Sequence, residues 1–569
     1  MRSLRISMAQ INPVIGDLAG NRDRIIGCIE SARKLGADIV AFPELSVTGY
    51  PPEDLLLKPQ FIADNLRTLA QIRKATEGIT AIVGFVDRKD FLYNASAVLH
   101  DARLAGVYHK VLLPNYGVFD EYRYFRPGSR YPLLTVRGIQ VGVNICEDIW
   151  FSEGPTRSQA HAGAEVIVNI NASPYHRGKG KERFTMLAER ARQNNVIISY
   201  TNAVGGQDEL VFDGQSMVID HRGRLLAAAK QFEEELLTID IPVPERAPAR
   251  PGSSKPQYES IDRIVLSEKP APRRKALPAR KALKPLSACE EVYRALVLGT
   301  RDYMRKNGFK TAVIGLSGGI DSSLVAAVAA DALGRENVVG VFMPSQYSSD
   351  ASREDACELA GNLGIGFFEI PIHDPFETYL RTLRGIFAKT RQDSTEENLQ
   401  ARIRGNLLMA LSNKFGWIVL TTGNKSEMST GYATLYGDMA GGFAVIKDVP
   451  KTLVYELCRC FNRLKGTACI PKRVMTKAPT AELRPNQKDS DSLPIYPVLD
   501  PILKAYVEDD RSFKEILKMG FDRKTVERVI RLVDMSEYKR RQAPPGVKIT
   551  PRGLGKDRRF PITNRYKSY

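Results

Sequence analysis

The chain of 569 residues carries a net charge of +17 and is 43% hydrophobic and 26% charged, which excludes wholesale disorder and allows two large domains or three smaller ones. It has no run of about 18 uncharged apolar residues, and its N-terminus lacks the apolar core of a signal peptide, so we expect neither a membrane span nor secretion. Seven cysteines without framework spacing fit a reducing compartment, and we expect a cytoplasmic protein.

Two segments hold almost all of the excess positive charge. Residues 241–285 have a net charge of +7 and residues 538–569 one of +9, which together make up 16 of the 17 net charges. A nucleic-acid-binding protein more often spreads a basic face over its folded domain. We therefore expect no nucleic-acid partner, and we interpret the first segment as a solvated linker. The second is either solvated or directed at a small ligand that carries phosphate.

The first 240 residues alternate short β-rich runs with longer amphipathic stretches. Strands are predicted at Arg5–Ala9, Ile39–Phe42, Ile79–Phe85, Gln140–Ile145, Val166–Ile170 and Val196–Thr201. Helices are predicted at Asn21–Lys34, Phe61–Thr76, Thr156–Ala162 and Glu182–Asn194. Paired runs within 93–108 and 215–229 predict two antiparallel hairpins. Strands followed by helices indicate an α/β layered fold.

Three segments of this half each place one reactive residue beside a predicted strand end. They are Phe-Pro-Glu44-Leu-Ser, Tyr-His-Lys110-Val-Leu and Asn-Ile-Cys146-Glu-Asp. A cysteine needs a base and a cationic neighbour to act as a nucleophile at neutral pH, and Glu44 and Lys110 can fill these roles. A lysine near the scissile carbon also stabilises an oxyanion. Taken singly, each residue has an ordinary interpretation as a buried thiol or a salt-bridging side chain.

Together these segments resemble the Glu-Lys-Cys set of the nitrilase superfamily, whose members cleave carbon–nitrogen bonds. The resemblance covers about residues 3–240 and implies an α-β-β-α sandwich. It also implies that Glu121 is the second glutamate of that superfamily. In the glutaminase branch, it implies that Tyr116, Ser173 and Lys179 bind glutamine. The residues by themselves do not identify which amide is cleaved, although Lys179 has the right charge to bind an α-carboxylate.

A linker is predicted at residues 241–286. Residues 241–285 contain nine prolines, and proline removes backbone donors and restricts the residue before it, so no long helix or central strand is expected there. One short element is expected around Ile261–Leu266. The linker would separate a domain of residues 1–240 from a second one of residues 287–569.

The second half repeats a strand–helix order that predicts a doubly wound parallel sheet, with ligands at the carboxyl ends of its strands. Strands are predicted at Thr311–Gly315, Val338–Met343, Gly366–Ile370 and Trp417–Thr421. Helices are predicted at Ser322–Leu333 and Asp350–Leu363, with further helical stretches up to Phe415.

A phosphate-binding loop is predicted directly after the first of these strands, in the sequence Gly-Leu-Ser-Gly-Gly-Ile-Asp-Ser. Adjacent glycines let the backbone approach a ligand, and the following helix N-terminus offers N–H groups. The loop lacks the Gly-Lys-Ser/Thr ending of Walker-type loops. It resembles instead the loop of N-type ATP pyrophosphatases, which adenylate a substrate and release pyrophosphate. The ATP-binding residues would be Gly315, Leu316, Ser317, Gly318, Gly319, Ile320, Asp321 and Ser322.

Later motifs resemble the NAD synthetase family. They lie at Asp393–Gly405, Thr421–Glu427, Tyr436–Asp438, Glu482–Gln487 and Arg540–Lys548. The resemblance implies that Asn398, Glu427 and Lys539 bind deamido-NAD and that Thr422 binds ATP. It also implies that Asp321 and Glu427 hold Mg²⁺, and Asp321 is in its own right a hard oxygen ligand suited to this ion.

The whole chain thus resembles the bacterial glutamine-dependent NAD synthetases. This implies amidation of deamido-NAD to NAD with ATP and with ammonia released from glutamine, by a homo-oligomer built of synthetase-domain dimers or their octamer. We also hypothesise a water-poor passage for ammonia, and residues 471–497 are either a mobile lid or a plain surface loop.

Two other functions stay open at this point. One is another glutamine-dependent adenylating amidotransferase or a tRNA-modifying enzyme, and the other is a nucleic-acid-binding scaffold with a degenerate enzyme core. The nearly neutral body of the chain argues against the first. Salt-dependent binding to mixed DNA or RNA without glutamine turnover would favour the second.

Overall fold

The structure is a computed structural model that describes residues 2–244, 260–270, 274–278, 280 and 283–569. Most of the predicted proline-rich linker before residue 260 lies outside the described residues. The chain divides into two compact units: unit 1 comprises residues 1–205 and 212–285, and unit 2 comprises residues 206–211 and 286–569. Within the described ranges, every helix is too short or too polar to cross a membrane.

The part of the chain up to residue 285 is rich in strands. They are β1 (Arg2–Gln10), β2 (Ile39–Ala41), β3 (Thr80–Arg88), β4 (Leu92–His100), β5 (Arg103–His109), β6 (Tyr131–Val136), β7 (Ile139–Ile145), β8 (Val166–Asn171), β9 (Ile197–Asn202), β10 (Val204–Gln207), β11 (Leu210–Asp213), β12 (Met217–Ile219), β13 (Leu225–Ala228), β14 (Glu235–Val243) and β15 (Ile261–Val265). The helices are α1 (Leu18–Lys34), α2 (Pro59–Arg73), α3 (Pro155–His161) and α4 (Lys179–Asn194).

Unit 1 contains two large sheets that share one core. The first has the order β14-β1-β2-β3-β4-β5 and the second the order β13-β12-β9-β8-β7-β6-β15. Fully buried side chains of both sheets, such as Ile6 and Val141, form a common apolar cluster. The outer face of the first sheet packs on α1 and α2 through residues such as Ile25, and that of the second on α3 and α4 through residues such as Leu187. The predicted α-β-β-α sandwich is confirmed.

Each large sheet of unit 1 has one edge strand in or next to the proline-rich segment. β14 pairs antiparallel with β1 over nine residues, and β15 pairs parallel with β6. β15 is the short element expected around Ile261–Leu266. An edge strand tolerates the prolines and charges that disguised these segments, because one side of its backbone is unpaired.

Unit 2 contains a five-stranded parallel sheet surrounded by helices. Its strands are β16 (Ala312–Gly315), β17 (Val338–Phe342), β18 (Gly366–Glu369), β19 (Ile418–Thr421) and β20 (Phe443–Ala444). Its helices are α5 (Ala288–Lys306), α6 (Ile320–Leu333), α7 (Asp350–Leu363), α8 (His373–Phe387), α9 (Ser394–Phe415), α10 (Lys425–Thr430), α11 (Lys451–Lys465), α12 (Lys472–Thr476), α13 (Tyr496–Leu503), α14 (Phe513–Leu517), α15 (Arg523–Met535) and α16 (Glu537–Arg540).

The strand order of unit 2 determines where a ligand can bind. The order is β18-β17-β16-β19-β20, and all four pairs are parallel. After β16 the chain adds β17 and then β18 on one side of it. The chain then crosses to the other side of β16, where it adds β19 and β20. In such sheets the crevice beyond the carboxyl ends of the strands at this reversal binds ligands. The predicted doubly wound sheet is confirmed, and the predicted phosphate loop leaves β16 at this reversal.

Candidate active sites

The residue expected to be the nucleophile, Cys146, opens a sharp turn at the end of β7. It begins a short 3₁₀ turn (Cys146–Ile149) and has a φ of +43°, a left-handed conformation that is costly for a residue with a side chain and is frequent at functional sites. Burial and the nearby Glu44 raise the pKa of the Cys146 thiol well above its ordinary value, although Lys110 opposes the rise. Cys146 therefore rests as a thiol and needs a base.

The expected base, Glu44, lies in the loop after β2 and is held on both carboxylate oxygens. Its Oε1 accepts hydrogen bonds from Asn94 Nδ2 at 2.7 Å and from Lys110 Nζ at 2.7 Å. Its Oε2 accepts one from the backbone N–H of Ala172 at 3.1 Å. Gly84 of β3 permits this arrangement, because a Cβ there would lie 2.4 Å from the Pro43 carbonyl oxygen. Glu44 is thus oriented by a closely packed backbone.

Lys110 lies between two carboxylates and is fully buried. Its Nζ donates to Glu44 at 2.7 Å and to Glu121 Oε1 at 2.8 Å. Burial alone would lower the pKa of Lys110, but Glu121 and Glu44 raise it well above its ordinary value, so the side chain is a fixed cation. Tyr50 donates to Glu121 at 2.9 Å, and burial raises the pKa of Glu121 to about 7 against the opposing effect of Lys110.

Asp148 connects the lysine segment to the cysteine turn. Its Oδ1 accepts hydrogen bonds from the backbone N–H groups of Val111 at 3.1 Å and Leu112 at 2.8 Å, directly after Lys110. Its Oδ2 accepts from the N–H of Ile145 at 3.1 Å and from the Tyr108 hydroxyl at 2.7 Å. Asp148 is fully buried. One carboxylate therefore sets the position of the Lys110 segment relative to the turn that carries Cys146.

The three predicted glutamine-binding residues lie around this centre. The Tyr116 hydroxyl donates to the Glu147 carboxylate at 3.0 Å, and Ser173 is buried next to the residue whose N–H holds Glu44. The Lys179 ammonium lies 3.9 Å from the centre of the Trp150 ring and 3.1 Å from Glu182. Tyr116 therefore contacts the residue next to Cys146, and Lys179 contacts Trp150, which directly follows the Cys146–Ile149 turn.

The predicted phosphate loop of unit 2 forms a tight turn between β16 and α6. Gly318 has a φ of +70°, and a Cβ there would lie 2.3 Å from the Ser352 carbonyl oxygen, so only glycine fits. The Ser317 hydroxyl accepts from the N–H of Gly319 at 3.2 Å, and the Ser322 hydroxyl donates to the Gly319 carbonyl at 3.1 Å. These contacts stabilise a loop whose N–H groups lie at the N-terminus of a 14-residue helix.

Two predicted metal ligands, Asp321 and Glu427, share one cationic group. The Lys451 ammonium donates to Asp321 Oδ2 and, at 3.4 Å, to Glu427 Oε1. Asn424 donates to Asp321 Oδ1 at 2.9 Å. Burial raises the pKa of Glu427 to about 8, although Lys451 opposes the rise. Two carboxylates that converge on one cation fit Mg²⁺, which typically takes one or two protein carboxylates together with substrate phosphates.

Two adjoining cavities join the loop to these carboxylates. A cavity of about 250 Å³ is lined by residues of the loop and by Thr422 and Glu427, and one of about 150 Å³ by the Gly318–Ile320 part of the loop and by Lys451. Residues 480–482 line both, so the segment expected as a lid or a surface loop borders the candidate nucleotide site. The predicted loop residues lining one or both cavities are Gly315, Leu316, Ser317, Gly318, Gly319, Ile320, Asp321 and Ser322.

The other two residues expected at deamido-NAD flank a neighbouring loop, residues 431–438. Asn398 Oδ1 accepts a hydrogen bond from the Thr434 hydroxyl at 2.8 Å. Lys539 Nζ donates to the carbonyls of Gly431 at 2.7 Å and Ala433 at 2.8 Å. The structure thus brings both residues to one loop, next to the cavity lined by Asp438.

The arginines of the basic tail are partly engaged within the protein. Arg540, Arg541 and Arg558 all form ion pairs with Glu537, at 2.9, 2.9 and 3.2 Å. These three arginines therefore stabilise the C-terminal segment, because the buried Glu537 carboxylate needs cationic partners.

Sequence reasoning missed several residues of both centres. Asn94 holds Glu44 from a buried position in β4, Asp148 positions the Lys110 segment, and Lys451 bridges the two candidate metal ligands. Two of them could have been found in the sequence. Asn94 is a polar residue within an apolar run, and Asp148 is a carboxylate within the cysteine motif. Lys451 follows Val-Pro at the start of α11, which carries no such signal.

Two protein families match two separate parts of the chain. The carbon-nitrogen hydrolase family matches residues 5–251 and the NAD synthase family matches residues 292–543. The glutamine-dependent NAD(+) synthetase of Thermotoga maritima is 52% identical over 100% of both chains, and that of Aquifex aeolicus is 48% identical over 99% of this chain and 100% of its own.

Solved structures agree as well. The glutamine-dependent NAD+ synthetase of Acinetobacter baumannii in complex with ADP is 42% identical, covers 100% of both chains and has a TM-score of 0.75. A glutamine-dependent NAD(+) synthetase of Cytophaga hutchinsonii, 22% identical over 99% of this chain and 98% of its own with a TM-score of 0.81, shares the fold. Identity at this level over the full length leads to one conclusion: the chain belongs to the glutamine-dependent NAD(+) synthetases.

Proposed function

We propose that this chain converts deamido-NAD to NAD, consuming ATP and glutamine and releasing AMP, pyrophosphate and glutamate. The observation that carries the proposal is the buried Lys110–Glu44 ion pair beside Cys146 in one unit, in a chain whose other unit bears the phosphate loop. A carboxylate cannot be amidated directly, because hydroxide is a poor leaving group. Adenylation in the second unit supplies a good leaving group, and glutamine hydrolysis in the first unit supplies the ammonia.

In the first half-reaction, the Cys146 sulfur attacks the side-chain amide carbon of glutamine while Glu44 takes the thiol proton. The Lys110 ammonium stabilises the oxyanion, as a buried fixed cation does best in a low dielectric. Glu44 returns the proton to the leaving nitrogen, ammonia departs, and a thioester remains. Glu44 then activates the water that hydrolyses it. Glu121 holds Lys110 in place and does not touch the substrate.

Three side chains are proposed to bind the amino-acid end of glutamine. Lys179 pairs with the α-carboxylate, and Tyr116 and Ser173 offer hydroxyl groups to its polar atoms. The cation–π contact of Lys179 with Trp150, the residue that directly follows the Cys146–Ile149 turn, supports this assignment because it holds the ammonium next to that turn.

In the second half-reaction, residues 315–322 and Thr422 bind ATP, and Asn398, Glu427 and Lys539 bind deamido-NAD. The nicotinate carboxylate attacks the α-phosphorus, pyrophosphate leaves, and ammonia displaces AMP from the adenylate. Backbone N–H groups of the loop orient the phosphates. Asp321 and Glu427 would hold Mg²⁺, which neutralises phosphate charge when bound. Lys451 keeps these two carboxylates together.

The test is Cys146→Ala assayed with each nitrogen donor. We expect glutamine-driven synthesis to be lost and ammonia-driven synthesis to be retained, because unit 2 keeps its own site. The matched variant is Asp321→Ala, which should abolish synthesis with either donor and leave glutamine hydrolysis measurable. Equal loss with both donors in Cys146→Ala would refute the division of labour.

Ammonia transfer within the protein is part of this proposal. Ammonia released into water would be mostly protonated and non-nucleophilic at neutral pH, so a protected route favours synthesis. The measurement is NAD formed per glutamine hydrolysed, with and without an external ammonia scavenger. A yield that collapses in the presence of the scavenger would argue against a protected route.

The assembly and cellular location are proposed on the family resemblance. The homo-oligomer would be a dimer of synthetase units or an octamer, which sedimentation equilibrium measures directly. A cytoplasmic location fits seven cysteines that are all free thiols. Fractionation of cells followed by immunodetection would test it.

A further inference from the structure

Arg404, which neither the motifs nor the mechanism uses, has an unusual electrostatic environment. It lies on α9 and lines the 250 Å³ cavity together with residues of the phosphate loop. Its Nε donates to the Met343 carbonyl at 2.9 Å. Among the described residues this is the one hydrogen bond of its guanidinium, and no carboxylate lies within ion-pair distance of it. Both terminal nitrogens therefore remain available to a ligand.

Arg404 is half-buried, and its situation differs from that of the arginines that are buried more deeply. Those of the described residues that are less than a tenth exposed are Arg5, Arg183, Arg190, Arg540 and Arg558. Each of them forms an ion pair with a carboxylate at 3.5 Å or less. A guanidinium removed from water without an anion is costly, and proteins normally pair it.

The cost is visible at Arg404 itself. Burial lowers the pKa of Arg404 to about 10, and the charge of Glu482 offsets only part of that effect. Glu482 is committed elsewhere: its carboxylate accepts hydrogen bonds from the hydroxyls of Ser349 at 2.9 Å and Ser352 at 2.8 Å and pairs with Lys477 at 3.1 Å. No carboxylate in the described part of the chain thus pairs with this cation.

The position of this cation indicates which anion it meets. Met343 comes directly after β17, and Gly315 at the end of β16 pairs with Val341 of β17. Arg404 is therefore anchored at the carboxyl edge of the sheet, on the strand next to the one that leads into the phosphate loop. A guanidinium fixed through Nε, with two terminal nitrogens in one plane, matches two oxygens of a phosphate group.

We propose that Arg404 binds phosphate oxygens of ATP in the cavity formed with the phosphate loop. This rests on the proposed assignment of that loop to ATP and adds a residue that touches the nucleotide. A charge-assisted contact of this kind is expected to change ATP use by about tenfold to hundredfold.

The experiment compares Arg404→Gln and Arg404→Lys with Lys414→Gln, which removes one positive charge from an exposed position of the same helix. Ammonia-driven synthesis is measured over ranges of ATP and of deamido-NAD. We expect Arg404→Gln to lower kcat/KM for ATP by about tenfold to hundredfold, Arg404→Lys to lower it less, and Lys414→Gln to leave it unchanged. The KM for deamido-NAD and the rate of glutamine hydrolysis should stay near those of the wild type.

A value of kcat/KM for ATP within threefold of wild type in Arg404→Gln would overturn the proposal. If that variant fails to fold, the unmodified protein provides a second measurement: phenylglyoxal labelling of Arg404, read by peptide mass spectrometry. Saturating ATP should protect Arg404, and equal labelling with and without ATP would overturn the proposal. Asp321→Ala distinguishes a failure of the Arg404 proposal from a failure of the loop assignment. Normal ATP use in Asp321→Ala would refute the assignment of the loop to ATP.

Discussion

We predict that Asp148 affects the rate of glutamine hydrolysis although it does not itself react with the substrate. Its carboxylate accepts four hydrogen bonds, from three backbone N–H groups and the Tyr108 hydroxyl, and so joins the segment after Lys110 to the turn of Cys146. The perturbation is Asp148→Asn, which keeps the shape and replaces one acceptor oxygen by a donor. We expect glutamine hydrolysis to be impaired through the relative position of Lys110 and Cys146.

The magnitude follows from the contacts that this substitution breaks. If the amide oxygen keeps the two N–H groups of Val111 and Leu112, the amide nitrogen faces the N–H of Ile145, which then lacks an acceptor. A buried unsatisfied donor costs about 1–3 kcal/mol, and the turn relieves that cost by moving. A displacement of about 1 Å in a reacting group costs about 100-fold in rate. We therefore expect kcat/KM for glutamine hydrolysis to fall by about tenfold to hundredfold, and further in Asp148→Ala.

The assay is glutamine hydrolysis next to ammonia-driven synthesis in the same preparation. The second activity should stay within twofold of wild type, because Asp148 belongs to unit 1. The control is Asp220→Asn, which alters another buried carboxylate of unit 1 that accepts backbone N–H groups, those of Arg222 at 2.9 Å and Arg224 at 2.8 Å. Hydrolysis by Asp148→Asn within threefold of wild type, or an equal loss in Asp220→Asn, would refute the positioning role.

Three further predictions concern the same centre. Lys110→Met should abolish glutamine hydrolysis and lower the free energy of unfolding by about 3–5 kcal/mol, because Glu44 and Glu121 lose their buried counter-charge; urea denaturation measures this, and a loss below 1 kcal/mol would contradict the pairing. The folded-state pKa of Glu121, raised to about 7 from 4.5, means that its ionisation costs stability as pH rises from about 4.5 to 7. The melting temperature of Glu121→Gln relative to wild type should therefore rise from pH 5 to 7 and then level, whereas a constant difference would contradict this. Lys179→Ala should raise the KM for glutamine at least about tenfold with a smaller effect on kcat, and Lys179→Arg should restore most of it; unchanged steady-state kinetics would exclude the α-carboxylate contact.

Local patterns predicted those features of the protein that depend on a few neighbouring residues. The phosphate loop is one, because its glycines, serines and Asp321 all belong to one strand–turn–helix segment. The alternation of β1, α1 and β2, and of β16, α6 and β17, is another, because apolar periodicity records which face each element buries. Cys146, Glu44 and Lys110 were proposed as the catalytic set of unit 1 in the same way, each from its own short motif.

The tertiary structure decided which of these residues meet and what holds them. Glu44 is separated by 50 residues from Asn94 and by 66 from Lys110, and the bridge from Lys451 to Asp321 spans 130 residues. Arg404 became distinctive only when the fold placed it in a cavity where no carboxylate of the described ranges pairs with it. Such environments arise from chain segments that pack together after folding, and burial changes the energy of a charge according to all of its neighbours. Sequence spacing therefore suggests which chemical groups belong to the two candidate sites, whereas the pairing, burial and protonation of these groups depend on long-range packing.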